Sequence, residues 1–303
     1  MSDIGLRRYA QVSIYAQFYG SEGRSTPSWL AMRPPTGIGH STNLVGVPME
    51  YLASHRFNDE PKPLHIAGAR EMNAALFDML DQAEDLAESG EAFMTYMNAM
   101  FGLDPEQRDH RVDPKTGRRR FRSSFLNLIK GWGFDSNGAE GAVLKGWVES
   151  RFGIFPTFHS EPIQRISSRA WTTYVEQKMS SRFHNNAIYV QLDLLFEFCQ
   201  WALARFAAPG RSHLLLYRGV HDFKEHQIVE RLDKRTVIMR LNNLASFTSD
   251  RHIAECFGDT ILSAKVPTAK VAFFNQLLAS HPLKGEGEYL VIGGEYCVRA
   301  SRY

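Results

Sequence analysis

Cysteine is scarce in this chain, and so is any excess of charge. Only Cys199, Cys256 and Cys297 occur among 303 residues. They are far apart and form no Cys-x-x-Cys pair. That excludes a disulfide framework and a thiolate zinc site, and it suits a reducing cytoplasm. Lysine and arginine number 35 against 33 acidic residues, a formal net charge of +2. Such balance gives no general reason to expect nucleic acid or an anionic membrane as partner. Long apolar runs are missing too. The opening MSDIGLRRYAQVSIYAQFYG lacks the continuous apolar core of a signal peptide, and no run is long enough to span a bilayer. A soluble, cytoplasmic protein is the expectation. The motif HExxH and a P-loop are absent. The glycine-rich Gly131 to Gly141 follows no strand and does not match GxGxxG. No metal site is expected.

The composition that remains is ordinary for a folded protein, with 44% hydrophobic and 22% charged residues. Residues 20–63 are rich in Gly, Pro, Ser and Thr and read as loop with short extended pieces. Apolar residues at three-to-four spacing predict helix from Ala67 to Met100, divided at Ser89-Gly90. Polar residues 104–122 read as a linker, whose basic run Arg118 to Arg122 is either a solvated loop or a dock for an acidic surface. Helix is predicted again over 123–129, 142–152 and 170–206, the last interrupted near His184-Asn185-Asn186 and stopped at Pro209-Gly210.

The texture then changes. Short β-branched and aromatic runs predict strands at 213–217, 236–241, 260–266, 270–274, 289–292 and 296–300. A short helix, Arg251 to Phe257, lies among them, with Ser249 or Asp250 as its N-cap. Helices followed by strands, without βαβ alternation, indicate an α+β fold. The division expected is a mostly helical region over 1–165 and a mostly antiparallel β core over 166–303.

Three motifs in the strand-rich part carry candidate chemistry. In Leu214 to Gly219 an arginine closes an apolar strand. Arg218 can offer its rigid fork to a phosphate, and Gly219 lets a ligand approach the backbone. The same arginine equally marks where a strand meets water. In Leu244 to Asp250, alternation puts Ser246 and Thr248 on one face, where two hydroxyls can hold a ribose or orient a carboxylate. A hydroxyl-rich cap of the following helix is the other reading. In GEGEYLVIGGEY, Glu286 and Glu288 point the same way if the chain is extended. Like charges so close raise at least one pKa, which suits acid–base work. A solvated turn leading into a strand is the alternative.

Taken in this order, Tyr-Arg-Gly, Ser-x-Thr before a helix ending in Phe257-Gly258, and Glu-x-Glu before an apolar strand resemble the arginine–serine–glutamate mono-ADP-ribosyltransferases. The Glu-x-Glu form is the version associated with arginine as acceptor. The stretch Ser41 to Pro48 and the later GEYLVIGGEY are similar to the bacterial NAD⁺–dinitrogen-reductase ADP-ribosyltransferase family. Phe247 and Thr248 depart from the broader pattern, which has smaller or different hydroxylated residues there.

The resemblance implies a reaction. NAD⁺, as substrate, loses nicotinamide, and its ADP-ribosyl group passes to an arginine of dinitrogenase reductase, switching nitrogen fixation off. Glu288 would stabilise positive charge developing on the ribose, as carboxylates do in glycoside hydrolysis. Glu286 would orient the acceptor guanidinium and take its proton. Arg218 would bind the pyrophosphate or adjacent ribose and Gly219 the nicotinamide carboxamide. Ser246 would position Glu288 or the ribose, with Thr248 beside it. Phe257 would stack on nicotinamide or pack in the core. The helical region over 1–165 would dock the target or a PII-type regulator. Alternatives are a transferase with another target, an NAD⁺ glycohydrolase, and a non-enzymatic adaptor on the same fold.

Overall fold

The computed structural model describes residues 43–103, 123–180, 187–221, 227–278 and 287–302, all within one unit of the chain, Thr36–Tyr303. The linker 104–122 with its basic run, the expected interruption at 184–186, and Glu286 lie outside the described residues.

Among the described residues the helices are α1 (Met49–Ala53), α2 (His55–Asp59), α3 (Ala74–Leu80), α4 (Leu86–Phe101), α5 (Phe125–Phe134), α6 (Ala139–Phe152), α7 (Arg169–Lys178), α8 (Ile188–Ala202) and α9 (Arg251–Glu255). The strands are β1 (Phe158–His159), β2 (Glu161–Pro162), β3 (His213–Val220), β4 (Gln227–Arg231), β5 (Thr236–Thr248), β6 (Thr260–Pro267), β7 (Val271–Phe274) and β8 (Glu288–Arg302). The fold is α+β, with a helical N-terminal part and a β core whose pairings are all antiparallel.

Local chemistry sets the helix limits. The Asp85 carboxylate accepts from the Glu88 N–H and starts α4; Gly102, at φ 58°, ends it. The expected division at Ser89-Gly90 does not occur. Both residues are buried inside α4, and the break falls before Asp85 instead. Gly90 serves packing: a Cβ there would stand 3.2 Å from the Leu277 carbonyl. Ser124 caps α5, whose Phe125, Leu128, Ile129 and Trp132 form one buried stripe at helical spacing. Helices α1 and α2 occupy part of the segment expected to be loop. Just before them, the Asn43 side chain donates to the Phe152 carbonyl, and the Leu44 N–H to that of Arg151, fastening this segment to the end of α6.

The sheet order is β4-β5-β3-β6-β8-β7, with β5 also paired to β8. Strands β5, β8, β6 and β3 therefore form a ring of pairings, closed by the single pair Tyr217↔Thr248. β3 runs through Arg218 and Gly219 to Val220, past the end expected at Tyr217. Two other strands are also longer than expected: β8 runs unbroken through Gly293-Gly294, and β5 runs on to Thr248. A bulge between Leu241 and Leu244 lets β5 and β8 continue. Gly293 permits it, since a Cβ there would lie 1.7 Å from the Asn242 carbonyl oxygen. The bulge residues hold the helical part. Asn243 donates to the carbonyls of Lys145 and Ile154, and Asn242 donates to that of Phe158. Strand β4 was not expected; its outward residues have no apolar alternation. One buried cluster runs from Leu52 through α4, α5, α6 and α8 to Val298, so helices and sheet share a core.

Candidate active site

The three motifs meet where three strand ends converge. Thr248, at the end of β5, pairs with Glu288, the first residue of β8, and with Tyr217 near the end of β3. Opposed residues of an antiparallel pair point to the same side. Ser246, Thr248 and Glu288 therefore share a face.

The Ser246 hydroxyl donates to Glu288 Oε1 at 2.6 Å. Arg218 Nη1 donates to the Ser246 carbonyl at 2.7 Å. Burial lowers the Arg218 pKa from its ordinary value, and the Glu288 carboxylate opposes that shift. A guanidinium remains a cation under such pressure. The arrangement is a fixed positive fork beside a carboxylate that is only 8% exposed. Ser246 is thus committed to the carboxylate. The helix cap is Asp250, which accepts from the His252 N–H. Thr248 is buried opposite Glu288 in the strand register, and its Oγ1 accepts from the Asp250 N–H at 3.1 Å.

Gly219 has a packing reason for lacking a side chain. A Cβ there would lie 2.0 Å from the Ala254 carbonyl oxygen of α9 and 3.0 Å from the carbonyl carbon of Phe257. The same close approach brings Phe257 alongside the β3 end. Its side chain is 57% exposed, so the core-packing reading of Phe257 does not hold. Gly287 alters one premise. Its φ of 56° is left-handed, so the extended alternation used to align the two glutamates does not run through it.

Trp132, on α5, went unnoticed in the sequence. Its indole Nε1 donates to Ser246 Oγ at 2.9 Å. The signal available was an indole on the buried stripe of an amphipathic helix, whose N–H needs an acceptor. Beneath it sits another buried group, Lys145, with Nζ 5.8 Å from the Trp132 ring centroid. Lys145 Nζ donates to Asn137 Oδ1, the Phe158 carbonyl and His159 Nδ1. Burial brings the Lys145 pKa down to about 7, with Asp135 opposing. His159 is also pushed below its ordinary value, chiefly by burial. That leaves Nδ1 free of a proton to accept from Lys145, while Nε2–H donates to Gln177.

Among the described residues no group of His, Cys, Asp and Glu is placed to hold a metal ion, and no helix is long and apolar enough to cross a membrane. Arg218, Ser246, Thr248 and Glu288 thus stand together at the converging strand ends, with the exposed Phe257 ring near the end of β3.

The chain is similar to known proteins over most of its length. The family model described as dinitrogenase reductase ADP-ribosyltransferase matches residues 42–300. The NAD(+)–dinitrogen-reductase ADP-D-ribosyltransferase of Rhodospirillum rubrum is 68% identical over 265 residues, covering 88% of this chain and 96% of that protein. No solved structure matches the chain. A match spanning nearly all the described residues, with the arginine, serine and glutamate gathered at one place, identifies the chain as a member of the dinitrogenase reductase ADP-ribosyltransferase family.

Proposed function

We propose that this protein transfers ADP-ribose from NAD⁺ to an arginine of dinitrogenase reductase, so switching nitrogen fixation off. The observation that carries this reading is the Arg218–Ser246–Glu288 chain of hydrogen bonds at the converging strand ends, in a chain 68% identical to a relative named for that activity. In the reaction the bond from ribose C1 to nicotinamide breaks. A bond from C1 to a guanidinium nitrogen forms, and one proton is released.

Glu288 stabilises the positive charge that develops on the ribose. Ser246 holds its head in place, so little reorganisation is needed as charge appears. Arg218 binds diphosphate or the adjacent ribose, and the Gly219 backbone meets the carboxamide. Phe257 stacks on the nicotinamide, and Thr248 supports the Glu288 side of the site. Glu286 takes the guanidinium proton. Residues 1–165 carry the docking of target and of a PII-type regulator, and 166–303 carry the transferase core. A cytoplasmic location belongs to the same reading.

The test is incubation with labelled NAD⁺ and purified dinitrogenase reductase. Label on that protein, lost in Glu288→Ala, is the expected result. Nicotinamide release without label points to a glycohydrolase. Neither NAD⁺ binding nor release points to an adaptor.

A further inference from the structure

We propose that Trp132 is a positioning residue for the transfer reaction, aiming the Ser246 hydroxyl hydrogen at Glu288 from outside the strand core. The inference rests on the site reading above and adds a residue to it. An indole N–H only donates, and a serine hydroxyl has one hydrogen and two lone pairs. With Trp132 Nε1 donating to Ser246 Oγ at 2.9 Å, a hydroxyl lone pair is taken. The hydroxyl hydrogen then goes to Glu288 Oε1, 2.6 Å away. Such relays polarise in one direction, and each bond strengthens the next.

The indole is itself held. Trp132 is 4% exposed and lies on the buried stripe of α5. On one side it faces Lys145 Nζ, which Asn137, the Phe158 carbonyl and His159 fix in turn. A residue from the helical part of the chain thus sets the geometry of a carboxylate on β8. Removing the N–H frees the hydroxyl to rotate and leaves the Glu288 head less fixed. Substrate affinity is untouched, because Trp132 acts only through Ser246.

The experiment compares Trp132→Phe, Ser246→Ala and the double variant, measuring kcat and the NAD⁺ KM for labelling of dinitrogenase reductase. Trp132→Phe is expected to lower kcat about tenfold with KM within about twofold, the size of one buried hydrogen bond. In the Ser246→Ala background it is expected to change kcat by less than about twofold, since the partner is gone. An equal loss in both backgrounds, or no loss in either, overturns the proposal. Should Trp132→Phe fold poorly, 3-benzothienylalanine at position 132 keeps the bicycle and removes only the N–H. Loss of kcat there supports the proposal, and native kcat overturns it. Glu288→Gln, run alongside, separates the two levels. If it keeps full activity, the reading of the site falls and the proposal with it. If it is inactive while the Trp132 variants are native, only the proposal falls.

Discussion

Glu288→Gln is the most direct probe of the chemistry, because it removes charge with almost no change in shape. The glutamine oxygen still accepts from Ser246 Oγ, as Glu288 Oε1 does at 2.6 Å. What disappears is a negative charge on a side chain that is 8% exposed. Two unit charges about 4 Å apart at an effective dielectric of about 20 attract by about 4 kcal/mol. If half to all of that acts only when the ribose becomes positive, kcat falls by roughly 30- to 1000-fold. The NAD⁺ KM changes little, since Arg218 remains. Stability pays as well, because Arg218 loses the carboxylate that offsets its burial. A loss of about 1–3 kcal/mol is expected, a fall of several degrees in Tm. The assay is initial-rate transfer of labelled ADP-ribose, run well below the variant's own melting point. A kcat within about threefold of the native value refutes the electrostatic role.

Three further outcomes follow from the same geometry. Gly219→Ala forces a Cβ to within 2.0 Å of the Ala254 carbonyl, backbone that can yield only if α9 shifts. Overpacking of about 1–3 kcal/mol is expected, seen as a lower chemical-denaturation midpoint with reduced activity; a native midpoint rules out the close approach. Phe257→Ala removes an exposed ring, so thermal melting stays native while the NAD⁺ KM rises by about threefold to tenfold; an unchanged KM excludes stacking. Lys145 has a folded pKa of about 7 against an ordinary 10.5. Between those values the unfolded state binds more protons, so stability rises as pH increases from about 7 toward 9. Lys270 acts in the same direction. Melting curves across that range should therefore be flatter for Lys145→Met than for the native protein, though not level. A variant with the native slope shows that Lys145 is not the group titrating.

Much of the site was legible because it is built from local patterns. An arginine closing an apolar run, hydroxyls at alternate positions and a glutamate opening a strand can each be read within a few residues. Asp250, one of the two caps expected for α9, is the one that caps it. The helix division was misplaced because Ser89-Gly90 looks like a breaker until the neighbour it packs against is known. That neighbour, Leu277, lies far along the chain. Gly293-Gly294 looked like a strand end for a similar reason. Their role depends on a bulge in β5, and a bulge is a property of two strands together.

The sequence alone determined the class of fold, the order of the three motifs and the chemical types brought to the site, because side-chain chemistry and backbone periodicity are local. Only the tertiary structure decided that Thr248 is the meeting point of β3, β5 and β8, that Gly287 turns left-handed, and that Trp132 reaches Ser246. Those facts are set by register and by packing between residues more than a hundred positions apart in one case, where no short window of sequence holds both partners.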